Sequence, residues 1–298
     1  MTGLLCIIRI DSVCRMFGPE QYELLDFGQG RKLERFGSMV LDRPSPAAEN
    51  EACARPEIWS DADAKFDRKD GQKGRWRGEL PDTWDIVCRN FRLQLKPTDV
   101  GHLGVFPEQA TNWMVIEKCV RLAISQRSVP PKVLNLFAYT GGSTLAAAAA
   151  GAEVVHLDAA SNVVAWARQN AALSGLQNAP IRWIAEDARK FVEREVRRGS
   201  QYDVVILDPP SYGHGPKGQV WKLSQHLMPL LEMCGELTKT NRLMFLLTCH
   251  STGISGADLE AMLADAVYGS CQAGASARPL WIPTADGRRL AAGLVARG

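Results

Sequence analysis

The stretch Val133-Leu-Asn-Leu-Phe-Ala-Tyr-Thr-Gly-Gly-Ser-Thr-Leu-Ala-Ala-Ala-Ala-Ala-Gly151 decides the fold of this chain. A short apolar run lies between Pro130-Pro131 and Gly141-Gly142, which predicts a buried strand followed by a tight turn. Ser143 or Thr144 can then cap a helix that the alanines extend and Gly151 stops. Because a glycine turn lets a ligand approach the backbone at the carboxyl end of a strand, the segment predicts a cofactor pocket.

The next strand narrows the choice of cofactor. Glu153-Val-Val-His-Leu-Asp158 ends in a carboxylate about 20 residues after the turn, where nucleotide-binding folds place an acid on the ribose hydroxyls. The turn Tyr139–Thr144 lacks both the Gly-x-Gly-x-x-Gly of dinucleotide enzymes and a phosphate-binding loop ending in Gly-Lys-Ser/Thr. Two glycines, one aromatic residue and no lysine suit a ligand without a pyrophosphate. S-adenosylmethionine is such a ligand.

Two further predicted strands end in acids. Ile181–Asp187 and Tyr202–Asp208 follow in order, with helical stretches near 161–174, 187–198 and 221–238. Alternation of strands and helices predicts a doubly wound, mostly parallel α/β sheet. A strand-end acid can simply cap the next helix, as Asp187 can. Three such acids in series after a glycine turn favour a ligand-binding edge instead.

Two motifs make the chain similar to a known family. Asn135-Leu-Phe-Ala-Tyr-Thr-Gly-Gly142 and Asp208-Pro209-Pro210 resemble the motifs of class I S-adenosylmethionine-dependent methyltransferases, within them the ribosomal-RNA enzymes acting on cytosine C5 or guanine N2. The resemblance covers residues from about 18 to 298 and implies a seven-stranded Rossmann-like sheet with a small N-terminal β-rich appendage. Gly104–Trp113 is similar to the family's pre-domain motif, from which Glu108 and Ala110 depart.

The resemblance also implies how the cofactor is held. The turn at 135–142 would hold the methionine part, Asp158 the ribose and Asp187 the adenine amine. No metal is predicted, because the cysteines and histidines show no metal-ligand spacing. The predicted cofactor-binding residues are Asn135, Phe137, Tyr139, Gly141, Asp158, Asp187, Asp208 and Pro209.

The late strand Arg242–Cys249 bears on the chemistry. In the cytosine-C5 enzymes that the chain resembles, Ser/Thr-Cys-Ser at this position supplies a thiolate, which adds to C6 so that C5 takes the methyl group. Cys249 and Asp208 are accordingly the predicted catalytic residues, and His250 is a candidate cation beside the thiol. The alternative is that Cys249 is a small hydrophobic residue that ends a strand.

A second chemistry competes with the first. Asp208-Pro-Pro-Ser-Tyr212 also resembles the Asn/Asp-Pro-Pro-Tyr/Phe of amino-group methyltransferases, in which the acid accepts from an exocyclic amine, guanine N2 or adenine N6, and the aromatic ring stacks on the base. We narrowly favour cytosine C5. A small-molecule methyltransferase and an inactive binding module are further alternatives, and the intact Asp-Pro-Pro argues against the second.

Three segments are predicted: an uncertain extension at 1–17, a β-rich region with the pre-domain motif at 18–129, and the methyltransferase domain at 130–298. A hairpin is predicted over Tyr22–Phe36. Within the basic, aromatic segment Lys65–Arg77, two arginines and a tryptophan can contact RNA, although a solvated hairpin tip fits equally well. The candidate substrate contacts are Arg75, Trp76, Arg77, Tyr212, His214 and Lys217.

Composition agrees with a cytoplasmic enzyme whose predicted partner is RNA, ribosomal RNA above all. Of 298 residues, 46% are hydrophobic, which is enough for one α/β domain and an appendage. Eight scattered cysteines without a Cys-x-x-Cys pair indicate free thiols in a reducing compartment. No apolar run resembles a membrane span or signal peptide. The net charge of +2 neither demands nor excludes RNA, and nothing predicts the oligomeric state.

Overall fold

The computed structural model describes residues 16–68, 73–215, 218–269 and 274–298. Its backbone contacts divide these residues into two compact units. The N-terminal unit contains the described residues up to Thr111 together with Trp281–Ala292, and the second unit contains Asn112–Leu280 and Gly293–Gly298. None of the helices in the described ranges is long and apolar enough to cross a membrane.

The N-terminal unit is built from β-strands. Five strands form one sheet in sequence order, and two more form a separate hairpin. The predicted hairpin over Tyr22–Phe36 is confirmed, and its turn places Gln29 and Gly30 at positive φ (51° and 73°), as two-residue hairpin turns require. The strands are β1 (Tyr22–Gly28), β2 (Arg31–Phe36), β3 (Met39–Pro44), β4 (Ala64–Arg68), β5 (Gly74–Gly78), β6 (Trp84–Cys88) and β7 (Phe91–Leu95).

The predicted extension at 1–17 lies almost wholly outside the described residues. Its last two residues, Met16 and Phe17, are buried, and the Phe17 ring lies 5.5 Å from that of Tyr22. These two residues therefore belong to the N-terminal unit, and Phe17 packs against Tyr22 of β1.

The second unit alternates strands and helices, as predicted. The helices predicted near 161–174, 187–198 and 221–238 are confirmed to within about two residues at each end. Its elements are α1 (Ala110–Arg127), β8 (Lys132–Leu136), α2 (Gly142–Ala149), β9 (Glu153–Asp158), α3 (Ser161–Leu173), β10 (Ile181–Ala185), α4 (Ala188–Arg197), β11 (Val204–Leu207), β12 (Tyr212–His214), β13 (Val220–Lys222), α5 (Leu223–Leu237), β14 (Met244–Cys249), α6 (Gly256–Leu263), β15 (Ser276–Pro283) and β16 (Arg289–Arg297).

Seven strands form the central sheet, in the order β10-β9-β8-β11-β14-β16-β15. The first five are parallel to one another, and β16 runs antiparallel to β14. This sheet confirms the predicted α/β class. The chain runs outward from β8 in one direction through β9 and β10, and in the other through β11 and β14. Parallel sheets open a ligand crevice at the carboxyl ends of the strands where the order reverses in this way.

The domain boundary differs from the sequence prediction. We expected it at residue 130, after α1, whereas the structural division precedes most of that helix. The reason is packing: Trp113 of α1 lies against the start of α2, where a Cβ on Gly142 would come within 2.5 Å of the indole. Helix α1 therefore forms part of the second unit. The segment Trp281–Ala292, which comprises the end of β15, the start of β16 and the turn that joins them, is counted with the N-terminal unit.

One face of the central sheet packs against α4, α5 and α6. Leu134 and Leu136 of β8 share this apolar layer with Phe245, Leu247 and Cys249 of β14. Side chains alternate between the two faces of a strand, so the residues between these, such as Thr248, belong to the opposite face. This alternation decides which residues at the end of β14 reach the candidate site.

Candidate active site

The turn after β8 has an unusual backbone. Phe137 and Tyr139 adopt positive φ angles of 55° and 49°, and Gly141 adopts 95°. The positive φ favours glycine at 141, and a Cβ there would also lie within a tight 3.2 Å of the Cβ of Ala167 in α3. Left-handed non-glycine residues cost about 1–3 kcal/mol each and cluster at functional sites. The predicted glycine turn is present at the carboxyl end of β8.

Behind the turn lies a buried polar cluster. The Asn135 side-chain amide donates to Thr144 Oγ1 at 2.9 Å, and the same oxygen lies 2.9 Å from His156 Nδ1. Burial lowers the pKa of His156 to about 3, so the imidazole is neutral. Asn135, predicted as a cofactor contact, instead has its side chain buried, with the amide bonded to Thr144 of α2. Its direct contact with the cofactor stays a prediction, and in the structure it holds the helix against the strand.

Asp158 ends β9 beside the turn. Its Oδ2 accepts the Tyr139 N–H at 2.9 Å, and its Oδ1 accepts the Ala160 N–H at 3.0 Å. Each carboxylate oxygen has a further lone pair, and these suit the two hydroxyls of a ribose. Burial raises the pKa of Asp158, and bound hydroxyl donors would favour the charged form again. The carboxylate and the turn therefore fit the ribose and methionine parts of S-adenosylmethionine.

Asp187 caps the N-terminus of α4, as the alternative interpretation of the strand-end acids predicted. Its Oδ1 accepts the Lys190 backbone N–H at 3.1 Å, which makes it the N-cap of the helix. The second oxygen faces Gly215, where a Cβ would lie 3.3 Å from Oδ2. One bond to the helix leaves acceptor capacity on the carboxylate, so the contact to an adenine amine stays a prediction.

Asp208 follows β11 at the centre of the carboxyl edge. The Thr248 hydroxyl donates to its Oδ1, and His250 Nε2 lies 3.3 Å from the same oxygen. The Asp208 side chain is 32% exposed, so solvent and ligands can reach it. Nearby, the hydroxyls of Ser211 and Ser251 lie 2.6 Å apart. Two strand ends thus hold one accessible carboxylate in a fixed orientation.

A small hairpin follows Asp208-Pro209-Pro210. Strands β12 and β13 pair antiparallel, and Trp221 fixes them by donating its indole N–H to Pro210 O at 2.6 Å and packing 4.9 Å from Phe137. Tyr212 is 56% exposed on this hairpin, as a base-stacking ring must be. Pro209 is buried. His214 lies in β12, and Lys217 lies outside the described residues.

Residues 64–266 match the family of S-adenosylmethionine-dependent methyltransferases, which covers more than half of the chain. This chain belongs to that family. The predicted cofactor and enzyme class are thereby confirmed. A crystal structure of a SAM-dependent methyltransferase from Agrobacterium tumefaciens has 38% sequence identity, covers 93% of this chain and 89% of its own, and superposes with a TM-score of 0.86.

Two relatives of this methyltransferase are ribosomal-RNA enzymes. Ribosomal RNA large subunit methyltransferase I from Aeromonas salmonicida is 32% identical over 52% of this chain and 38% of its own length. Ribosomal RNA large subunit methyltransferase K/L from Shewanella baltica is 31% identical over 53% of this chain and 22% of its own length. The aligned part therefore spans well under half of either relative.

The structure places Cys249 away from the other candidate catalytic residue. Cys249 is 2% exposed, and its side chain belongs to the apolar layer shared with Leu247 and α5. Thr248 and His250, its neighbours in sequence, point to the opposite face and reach Asp208. This placement weighs against a nucleophilic thiol, because Sγ would have to leave the core to reach a base. The catalytic role of Cys249 stays a prediction.

The basic segment of the N-terminal unit forms the hairpin of β4 and β5. Arg75 and Arg77 are exposed on one of its faces, and Arg77 Nε lies 2.8 Å from Asp67. Trp76 points to the other face, where its ring packs 5.1 Å from Phe66 and its N–H donates to a backbone carbonyl at 3.0 Å. Stacking of Trp76 on a base would disrupt this packing. Of the three residues predicted to contact RNA in this segment, only Arg75 and Arg77 have exposed side chains.

Sequence reasoning missed Thr248, Trp221 and Gly293 at the site. The signal for Thr248 was available: in a strand with period two, Thr248 and His250 must share a face from which Cys249 is excluded. Trp221 and Gly293 gave no such signal. Each approaches the site through tertiary packing, Trp221 from the small hairpin and Gly293 from the middle of β16.

Proposed function

We propose that this methyltransferase modifies a base of ribosomal RNA in the cytoplasm. The similarity to two large-subunit ribosomal-RNA methyltransferases supports this substrate class over a small molecule. The exposed arginines Arg75 and Arg77 supply positive charge for the phosphate backbone. The accessible Asp208 and Tyr212 supply a hydrogen-bond acceptor and an aromatic ring for the base.

We further propose that the methylated atom is an exocyclic nitrogen, guanine N2 or adenine N6. One observation carries this choice, the arrangement of side chains at the end of β14. Thr248 there donates to the accessible carboxylate of Asp208, whereas the thiol of the next residue, Cys249, points into the core. Attack by an amine needs an oriented acceptor for its N–H and no covalent enzyme adduct. Attack by cytosine C5 needs a nucleophile that reaches C6. The geometry favours the first chemistry, in place of the C5 reaction that the sequence narrowly favoured.

The chain's own residues then have defined tasks. Asp158 and the turn at 135–142 hold the cofactor at the carboxyl ends of β8 and β9. When bound, S-adenosylmethionine supplies a methyl group activated by its sulfonium. Asp208 accepts an N–H of the target amine and so fixes the nitrogen, while the Tyr212 ring offers a stacking surface for the base.

Replacement of Cys249 by alanine is expected to leave methylation of RNA intact, because no covalent step uses the thiol. RNA carrying 5-fluorocytosine is expected to form no adduct with the parent protein. Fluorine cannot leave C5 as a cation, so an enzyme that uses a cysteine nucleophile would be trapped. Both results are read by labelled methyl transfer and by denaturing electrophoresis.

Cys234→Ala is the matched control, since Cys234 is another fully buried thiol of the same apolar layer. It reports the effect of lost packing alone. Loss of turnover confined to Cys249→Ala, together with a trapped adduct in the parent, would restore cytosine C5 as the target and overturn the amine assignment.

A further inference from the structure

We infer that His250 is a positioning residue: together with Thr248 it locks the Asp208 carboxylate in the orientation that receives the target amine. The inference rests on the proposed function for the identity of the substrate group. The contact on which it depends is a property of the protein alone. His250 therefore serves Asp208 and not, as the sequence suggested, the thiol of Cys249.

Two side chains converge on one oxygen. The buried Thr248 hydroxyl lies within hydrogen-bond reach of both the Leu207 carbonyl, at 3.3 Å, and Asp208 Oδ1. His250 Nε2 approaches Oδ1 to 3.3 Å from the open side, with its own side chain 38% exposed. A carboxylate held at one oxygen from two directions cannot rotate freely about its Cβ–Cγ bond. Thr248 alone fixes one direction, and His250 supplies the second.

The His250 imidazole lies close against the backbone of Gly293. Gly293, next to Leu294 that pairs with Cys249 across β16 and β14, adopts φ 118°. A Cβ at this position would lie 2.7 Å from His250 Nδ1 and 2.8 Å from the Cys249 carbonyl oxygen. A side chain at 293 would collide with both, so the ring or the adjoining strand would have to move. The bare backbone at this point thus makes room for the ring orientation that aims Nε2 at Asp208.

The role does not require a charged imidazole. A neutral ring with its hydrogen on Nε2 and a protonated ring both present an N–H to the carboxylate. A donor of similar reach should therefore replace histidine. Glutamine is such a donor, whereas alanine removes the contact.

His250→Ala is expected to lower kcat for RNA methylation by about tenfold or more, because a mispositioned acceptor costs rate and not affinity. KM for RNA and the dissociation constant of S-adenosylmethionine should stay at parental values. His250→Gln should recover most of the lost kcat. Parental kcat in His250→Ala, or no recovery in His250→Gln, would overturn the inference.

Gly293→Ala offers a second test that removes no polar group. Its Cβ would meet both the His250 ring and the Cys249 carbonyl oxygen at a φ of 118°, so kcat is compared only in protein that thermal unfolding shows to be folded. The substitution should lower kcat in the same direction, but it should add little when combined with His250→Ala, because both changes break one contact. Full additivity of the two effects on kcat would show that the alanine at 293 does not act through the His250 ring. It would contradict the inference that Gly293 makes room for that ring.

A readout without substrate separates this inference from the proposed function. The Nε2 resonance of His250 in nitrogen-15 NMR spectra should move in Asp208→Asn protein, because its partner changes from a carboxylate to an amide. An unchanged resonance would remove the contact and with it the inference. A shifted resonance in a protein that methylates no RNA would keep the contact and refute only the substrate.

Discussion

Replacement of Asp208 by alanine is expected to lower the single-turnover rate of RNA methylation by about a hundredfold or more, since it removes the group that aligns the target nitrogen. The variant also removes the carboxylate oxygen that the Thr248 hydroxyl and His250 Nε2 both reach in the parent. The rate should be measured at saturating S-adenosylmethionine, so that any weakening of cofactor binding is removed from the comparison. Asp208→Asn should be intermediate, because its amide keeps one acceptor oxygen.

Asp265→Ala is the matched control for charge, since Asp265 is an exposed acid on another segment of the same unit. Its rate should equal that of the parent. A parental rate in Asp208→Ala would show that the carboxylate does not hold the substrate, and the amine mechanism would lose its central group.

Replacement of Asp158 by alanine is expected to weaken binding of S-adenosylmethionine at least tenfold. Hydrogen bonds to a charged group contribute about 1.5–3 kcal/mol each, and about 1.4 kcal/mol corresponds to a tenfold change in affinity. Calorimetric titration measures the change directly. Asp158→Asn should lose less, because one oxygen can still accept from a ribose hydroxyl.

The substitution also deprives the Tyr139 and Ala160 N–H groups of their acceptor, so thermal unfolding should accompany the titration. Glu153→Ala is the control, because Glu153 is an exposed acid at the opposite end of the same strand. Unchanged cofactor affinity in a folded Asp158→Ala protein would remove the ribose assignment.

The local structure around the predicted cofactor site, a strand, a glycine turn and a helix, could be predicted because its signals are local. A strand, a glycine turn and a helix are consecutive in Val133–Gly151, and Asp158 closes the very next strand. The expected cap by Ser143 or Thr144 is wrong: Gly141 is the N-cap, no side chain caps the helix, and both residues lie within its first turn. Propensity, turn chemistry and hydrophobic pattern agree over this stretch. The helices that follow have clear ends for the same reason, and Asp187 caps its helix as strand-end acids often do.

The placement of the candidate substrate and catalytic side chains could not be predicted in the same way, because it depends on contacts that are not local. Sequence resemblance pointed to Cys249, whereas the pairing of β14 with β11 turns Thr248 toward Asp208 and Cys249 toward α5. The seat of His250 comes from Gly293, a residue far along the chain. The orientation of Trp76 is likewise not evident from the sequence, because its ring faces Phe66 only through the pairing of β4 with β5.

The domain boundary shows the same limit. Proline and turn residues near 130 marked a real change in local structure, between α1 and β8. Which unit α1 packs against depends on Trp113 and Gly142, and no local pattern states that partnership. The assignment of Trp281–Ala292 to the N-terminal unit likewise depends on tertiary contacts, which no local sequence pattern indicates.

Mass analysis of the methylated nucleoside distinguishes methylation of an exocyclic nitrogen from methylation of cytosine C5. Ribosomal RNA from cells lacking the protein should be incubated with the purified protein and isotopically labelled S-adenosylmethionine, digested to nucleosides and resolved by mass spectrometry. We expect the isotope label in guanosine or adenosine that is methylated at its exocyclic nitrogen. The Cys249→Ala protein should give the same labelled nucleoside. Label in 5-methylcytidine, or no label in RNA, would contradict this account.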